Sequence, residues 1–372
     1  MRITILLTLI GAALVGLVWS ALSSAQSSAP PGQALGCGTQ VCAQGAALRP
    51  VYEGAPDGWP EAHLDADIDY VELGALPRPE FDFDDPLIIL GRDLFDEPRL
   101  SATGQFACSS CHARDMKFID GLRSSFGHDR QQGDRNAPTL LDKADQPIFH
   151  WDGSAQSLTH QAMMPIVNPI EMAADRETVE TRLNADAAYR DRFEAVFGTD
   201  SIKLEQVADA LAAFQASLHR TSDFDRFMQG DADRLTDQQV LGLHLFRTEA
   251  RCANCHMGPR LTDDAFHNLG LHFYGRDRED LGRYEITGDP ADVGAFKTPS
   301  LRHVDDTAPY MHNGLIPTLR GAINLYDHGG ARPRPREEFA DDPLFPETSE
   351  RLHELELTQD EKDALEAFLR AL

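Results

Sequence analysis

Basic residues are scarce in this chain: 34 Lys and Arg stand against 60 Asp and Glu over 372 residues, a formal net charge of −26. That imbalance argues against nucleic acid or an anionic membrane surface as the main partner; it fits a soluble protein or one that steers a basic partner. Aromatic residues make up only 8%, but 25% charged and 42% hydrophobic are ordinary globular values and exclude wholesale disorder. Cysteines number six, too few for a disulfide scaffold of this length, so their spacing must say what they do. Long apolar runs are nearly absent. The one present follows Arg2, spans residues 3–22, and leads into Ser23-Ser24-Ala25-Gln26, a small-x-small pattern. It reads as a signal peptide over residues 1–25, cleaved after Ala25, in preference to an uncleaved N-terminal anchor, and so predicts a periplasmic protein. Residues 26–75 begin rich in Ser, Pro, Gly and Ala and read as a flexible lead-in. They carry Cys37 and Cys42, between which an exported setting permits a disulfide.

The other four cysteines form Cys108-Ser109-Ser110-Cys111-His112 and Cys252-Ala253-Asn254-Cys255-His256. Two thiols at this spacing add across the two vinyl groups of one haem, and the adjacent His supplies an axial nitrogen to its iron. A redox dithiol has no need of the His twice, and zinc pairs sit closer in sequence than Cys108 and Cys252 do. The motifs therefore predict two covalently bound haem c groups.

The repeat extends beyond the cysteines. Leu90-Gly91-Arg92-Asp93-Leu94-Phe95 precedes the first motif and Leu241-Gly242-Leu243-His244-Leu245-Phe246 the second. Asp85-Pro86 opens the first helix-like segment; Thr236 and Gln239, at capping-box spacing, open the second. Each half closes on an amphipathic helix. One has a stripe of Leu204, Val207, Ala208, Leu211, Phe214 and Leu218; the other has Leu365, Phe368, Leu369 and Leu372 after Thr358 and Glu361. Strand signals are weak. The expected fold is mainly α: two class-I cytochrome-c-like domains with long loops, residues 76–225 and 226–372, each binding one covalent haem c.

Between the motifs lie Ser125-Phe126-Gly127-His128, Asn136-Ala137-Pro138-Thr139, His150-Trp151-Asp152-Gly153, Gln161, Pro165 and Pro169-Ile170-Glu171-Met172. A Glu among apolar neighbours such as Ile166, Val167, Ile170 and Met172 has a raised pKa if buried, which suits proton shuttling. These segments resemble the bacterial di-haem cytochrome c peroxidases and their relative MauG, from about residue 80 to 372. The resemblance implies that Trp151 lies between the haems and that Glu171, twenty residues on, is the acid–base catalyst of the first, peroxidatic haem. It implies that Gln161 and Pro165 belong to the same distal pocket. It further implies a calcium site made by Asn136 with the backbone carbonyls of Thr307 and Pro309.

His128, sixteen residues after His112, matches a His that in many family members blocks the first iron until the second haem is reduced. Whether His128 binds iron at rest stays open. Tyr326, fourteen residues after His312, stands where typical peroxidases place a Met and MauG-like members a Tyr. A phenolate is a harder ligand than a thioether and lowers the potential. Tyr326 is therefore expected as the sixth ligand of the haem held by His256, ahead of Met311, Met257 or His328.

The resemblance implies a periplasmic peroxidase that reduces hydrogen peroxide to water with electrons from a small cytochrome c or cupredoxin. The second reading is a MauG-like enzyme that uses a high-valent iron state to oxidise side chains of a partner protein. The third, a di-haem electron carrier, is opposed by Glu171 and its pocket. Family members are often dimers, so a homodimer is implied as well.

Overall fold

The computed structural model describes residues 38–372; the expected signal peptide (1–25) and Cys37 lie outside them. Helix α1 (Thr39–Tyr52) is followed by α2 (Pro86–Phe95), α3 (Leu158–Val167), α4 (Arg176–Asn184), α5 (Ala187–Phe197) and α6 (Leu204–Ser217). Then come α7 (Asp223–Met228), α8 (Asp237–Arg247), the short α9 (Tyr284–Thr287), α10 (Leu319–Asp327) and α11 (Gln359–Leu369). Strands are minimal among the described residues: β1 (Phe266–His267) pairs antiparallel with β2 (Phe296–Lys297), Phe266 opposite Lys297.

Local chemistry sets the helix starts. Asp85 accepts the Leu87 N–H at 2.8 Å with Pro86 in the first turn of α2. Thr236 and Gln239, and again Thr358 and Glu361, cap α8 and α11 reciprocally, each pair satisfying two N–H groups that a helix start leaves open. Ser222 and Asp225 cap α7 in the same reciprocal way, and Ser157, Asp175, Asp186 and Thr318 cap α3, α4, α5 and α10 through a side-chain oxygen.

Two glycines explain the packing of the halves. A Cβ on Gly91 would lie 1.8 Å from the Ala210 carbonyl oxygen and 2.9 Å from Phe214, so α2 and α6 cross in contact. A Cβ on Gly242 would lie 2.0 Å from the Ala364 carbonyl oxygen and 2.7 Å from Phe368, so α8 and α11 cross the same way. In each crossing a Phe follows its glycine by four residues: Phe95 meets Phe214 edge-on at 5.3 Å, and Phe246 meets Phe368 edge-on at 5.5 Å. The duplicated hexamers are thus one helix crossing built twice. In the first half Leu90, Leu94, Val207, Ala208 and Leu211 are buried around it; in the second Val240, Leu241, Leu365 and Phe368 are. Leu218 falls just past α6, as its C-cap.

Two expected boundaries need correction. The lead-in is not flexible throughout: from Gly38 onward it folds. Helix α1 lies across α8, with Arg49 donating to Asp237 at 2.6 Å and to the carbonyls of Ala232 and Leu235. Tyr52, Trp59 and Leu73 are buried. Those three large side chains supply the apolar anchorage that a small-residue composition conceals. The boundary at 225/226 cuts through α7, whose Phe224 packs edge-on against Phe368 at 5.5 Å and donates its N–H to Ala371. Helix α7 therefore belongs with the second half, while residues 38–372 make one compact unit. Cys42 is disulfide-bonded; Cys37, its expected partner, is outside the described residues.

Candidate functional site

Each Cys-x-x-Cys-His motif is wound into one tight 3-10 turn, Cys108–Ser110 and Cys252–Asn254. The His N–H returns to the first Cys carbonyl in both, at 3.0 Å for His112 and 2.9 Å for His256. This turn brings two thiols and one imidazole of each motif together, and all four thiols are free. The two histidines are oriented alike. His112 Nδ1 lies 2.9 Å from the Phe118 carbonyl and His256 Nδ1 lies 3.0 Å from the Leu261 carbonyl. A carbonyl partner fixes the proton on Nδ1 and leaves Nε2 as the metal-binding atom. Burial holds both imidazoles below their usual pKa against the opposing pull of those carbonyls, so both are neutral, as a ligand must be.

The second motif opens onto a cavity enclosing about 1830 Å³ of atom-free space, its mouth included. Its wall carries Cys252, Cys255 and His256 together with Tyr326, Trp151 and His312. Tyr326 comes from the last turn of α10, and burial beside the two thiols pushes its phenol well above the usual range. Of the alternatives, Met311 shares the cavity wall with Tyr326, Met257 is buried, and His328 is exposed, with its Nδ1 2.7 Å from the Asn324 carbonyl.

Around the first motif, Glu171 sits where its charge raises both the Cys108 and Cys111 thiols, although burial is the main cause in each. Its carboxylate is open to solvent on one side yet crowded by protein, which raises its pKa; the 2.7 Å hydrogen bond from Asn168 only partly offsets this. The His128 loop lies on the same segment: the His128 N–H donates to the Glu171 carbonyl at 2.8 Å. At Gly127 a Cβ would come within 2.3 Å of the Ile170 carbonyl oxygen, so only glycine allows this approach. His128 Nδ1 is buried without a hydrogen bond, and Nε2 lies 3.4 Å from Asp129. Gln161 and Pro165 are one turn apart on α3 and share a face; Gln161 Oε1 is buried and unpaired. The Pro165 carbonyl accepts the Met172 N–H at 3.2 Å, which ties this face to the Glu171 segment.

Trp151 and Asn136 meet at the seam between the halves. The Trp151 indole donates to the Asn136 carbonyl at 2.9 Å and faces His312 edge-on at 6.4 Å. The Asn136 N–H donates to the His312 carbonyl at 2.6 Å. Its side-chain amide donates to the Leu122 carbonyl at 3.0 Å, which leaves Oδ1 as the side-chain oxygen able to ligate a cation. Thr307 and Pro309 border the same cavity.

Sequence reasoning missed the clamp beside this seam. Arg135 grips Asp152 and binds Asp280 bidentately at 2.7 and 2.8 Å, with Glu285 at 3.1 Å. Its sequence neighbour Asn136 and the Trp151-Asp152 pair were the available signal; Asp280 lies too far along the chain to be paired by inspection.

Paired free thiols, neutral histidines with a free Nε2, one large cavity and two unpaired buried acceptors fit two c-type haems. The comparisons with known proteins agree. Residues 85–233 match the family model described as di-haem cytochrome c peroxidase. The cytochrome c551 peroxidase of Nitrosomonas europaea is 38% identical over 236 residues, 63% of this chain and 70% of that protein. The methylamine utilization protein MauG of Paracoccus denitrificans is 38% identical over 291 residues, 66% of this chain and 75% of that one. A crystal structure of a MauG-like protein associated with microbial copper homeostasis superposes with a TM-score of 0.70 at 32% identity, covering 83% of this chain and 95% of its own. The fold and the paired motifs define a haem-binding oxidoreductase. The chain belongs to the di-haem cytochrome c peroxidase and MauG family, which uses haem c.

Proposed function

We propose that the chain is a periplasmic di-haem peroxidase, reducing hydrogen peroxide to water with electrons from a small cytochrome c or cupredoxin. The observation that carries this reading is Glu171, a carboxyl of raised pKa beside Cys108 and Cys111. In this reading Cys108, Cys111 and His112 hold the peroxidatic haem, and Cys252, Cys255, His256 and Tyr326 hold the electron-transfer haem. Bound there, the haems supply iron and the redox equivalents that cleave the O–O bond. Glu171 takes the proton from the inner peroxide oxygen and delivers it to the outer one, so that water leaves. Gln161 Oε1, buried and unpaired, accepts a hydrogen bond from the peroxide and orients it toward Glu171. Pro165, one turn on, shapes the same face of α3. Trp151, which belongs to the first half but borders the second cavity, carries electrons between them. Asn136, with the Thr307 and Pro309 carbonyls, holds a calcium ion at the seam, oxygen ligands being what that ion takes. His128 is the gate: its unpaired Nδ1 and the left-handed backbone at Asp129 and Arg130 suit a side chain that trades one position for another.

Tyr326 supports a second reading, a MauG-like enzyme that oxidises side chains of a partner protein, because a phenol on the second cavity favours holding an oxidising equivalent. Adding peroxide to the oxidised holoprotein separates the two. Reaction only after one-electron reduction, with fast turnover of a small donor, supports the gated peroxidase. An immediate, long-lived spectral change without pre-reduction, and slow donor turnover, supports the MauG-like reading.

A further inference from the structure

Lys143, Arg251, Lys297, Arg302 and Arg351 are the lysines and arginines that line the second cavity. Four of them have a carboxylate partner. Arg251 pairs with Asp65; Arg351 pairs with Asp67 at 2.7 Å; Arg302 pairs with Asp225 at 2.9 Å and donates to the Gly74 and Pro259 carbonyls. Lys297 lies 3.5 Å from Asp264 and donates to the Thr298 carbonyl at 3.1 Å. The Lys143 ammonium has no ion pair and no hydrogen bond among the described residues; only its backbone carbonyl is used, accepting the Gln146 N–H at 3.2 Å.

The acids near Lys143 are already committed. Asp142, its neighbour in sequence, binds His303 at 2.6 Å and Arg78 at 3.2 Å. Asp264 is shared between Lys297 and Arg260, and Arg260 Nη1 is itself buried without a partner. Lys297 and Arg260 therefore share the Asp264 carboxylate, and Lys143 feels the repulsion of both cations. Burial, with Lys297 repelling it, pulls the Lys143 ammonium down to about 8. A desolvated ammonium beside two other cations is costly unless an anion joins it.

We propose that Lys143 is a carboxylate-binding residue of the second cavity and that it holds a propionate of the haem attached at Cys252 and Cys255. The site rests on the haem assignment above. Its anion is a carboxylate because the one cavity cation without a carboxylate partner matches a single charge, and the haem brings carboxylates into this cavity. Lys143 thereby offsets the propionate charge and sets the second haem's potential through space, acting as a positioning and tuning residue.

The test uses the holoprotein. Lys143→Met and Lys143→Arg are made, haem attachment is counted by intact mass, and the second haem's midpoint potential is read by spectroelectrochemistry with and without added succinate. The expected result is two haems on every variant, a lower potential in Lys143→Met because the propionate charge is uncompensated and favours ferric iron, recovery in Lys143→Arg, and no response of the parent to succinate. Should Lys143→Met fail to fold, Lys143→Gln is read the same way. An unchanged potential in both neutral variants would overturn the proposal while leaving the haem assignment standing. A saturable response to succinate, present in the parent and lost in Lys143→Met, would assign Lys143 to a free carboxylate instead and also overturn it. Absence of haem at Cys252 and Cys255 in the parent would overturn both.

Discussion

At the scale of single residues, the proposed acid–base role of Glu171 is the first test. Glu171→Gln keeps the shape but removes the exchangeable proton, and peroxide turnover should fall by about 10²–10⁴-fold, the usual range for a general acid–base group. Stopped-flow reaction of the holoprotein with peroxide measures it. A rate within a fewfold of the parent would remove Glu171 from the mechanism. The pH profile follows from the direction of the shift. Crowding raises the Glu171 carboxyl, so the group is protonated, and unable to take the peroxide proton, up to a pH above the ordinary carboxylate range. Activity should therefore rise with pH along an acid limb that is displaced upward, and that limb should vanish in Glu171→Gln. Tyr326→Phe should raise the second haem's potential and alter its low-spin EPR signal; an unaltered signal would return the ligand role to Met311. These residues were legible because the resemblance supplied roles and spacings. Lys143 and Arg135 were not, because each is meaningful only beside charges contributed from distant parts of the chain.

At the scale of elements, the paired crossings of α2 with α6 and α8 with α11 were readable from the repeated Leu-Gly hexamers and from the capping residues. What the pattern did not reveal was the purpose of the glycine. With an added Cβ falling 1.8 Å and 2.0 Å from a carbonyl oxygen, neither Gly91 nor Gly242 tolerates a methyl group without separating its helices. Gly91→Ala and Gly242→Ala should each cost about 1–3 kcal/mol, the range of overpacked cores, measured by chemical denaturation of the holoprotein. Helix α1 shows the opposite error. Its Ala- and Gly-containing sequence suggested a loose linker, yet Gly45 is another contact glycine: a Cβ there would lie 1.9 Å from the Asp237 carbonyl oxygen. Small residues signal close approach as readily as they signal disorder, and composition alone does not separate the two.

At the scale of the whole molecule, the long-range contacts converge on a few buried charges. Asp225, fully buried, joins Arg302 at 2.9 Å, Arg78 at 2.8 Å and the Leu76 N–H at 2.9 Å, so it links three distant segments. Burial works to raise its carboxyl, but Arg302, the Leu76 and Ser222 N–H groups and Arg78 outweigh it and hold the pKa below the usual value. A depressed carboxylate contributes stability above its unfolded pKa and loses it as pH falls through the lower folded value. Asp225 should thus hold the fold together at neutral pH and release it only in strong acid. Asp225→Asn should cost about 3–5 kcal/mol at neutral pH, the penalty of breaking one side of a buried ion pair, and should blunt the acid transition. Thermal unfolding across a pH series reads both. The net charge of −26 acts at longer range: reduction by a basic donor should slow as salt rises, which a donor-independent peroxide step should not.

The seam between the halves has a mechanical side. The Asn136 side chain is the proposed calcium ligand, while its backbone carbonyl holds the Trp151 indole and its N–H is held by the His312 carbonyl. Arg135, next to it, ties the same strip of chain to Asp280 and Asp152. The proposed ion and the indole therefore hang on a common bearing. If Asn136 holds calcium as proposed, chelating it is expected to leave the haem ligands in place and yet detune the proposed wire between the haems, idling the enzyme by loosening a single hinge pin.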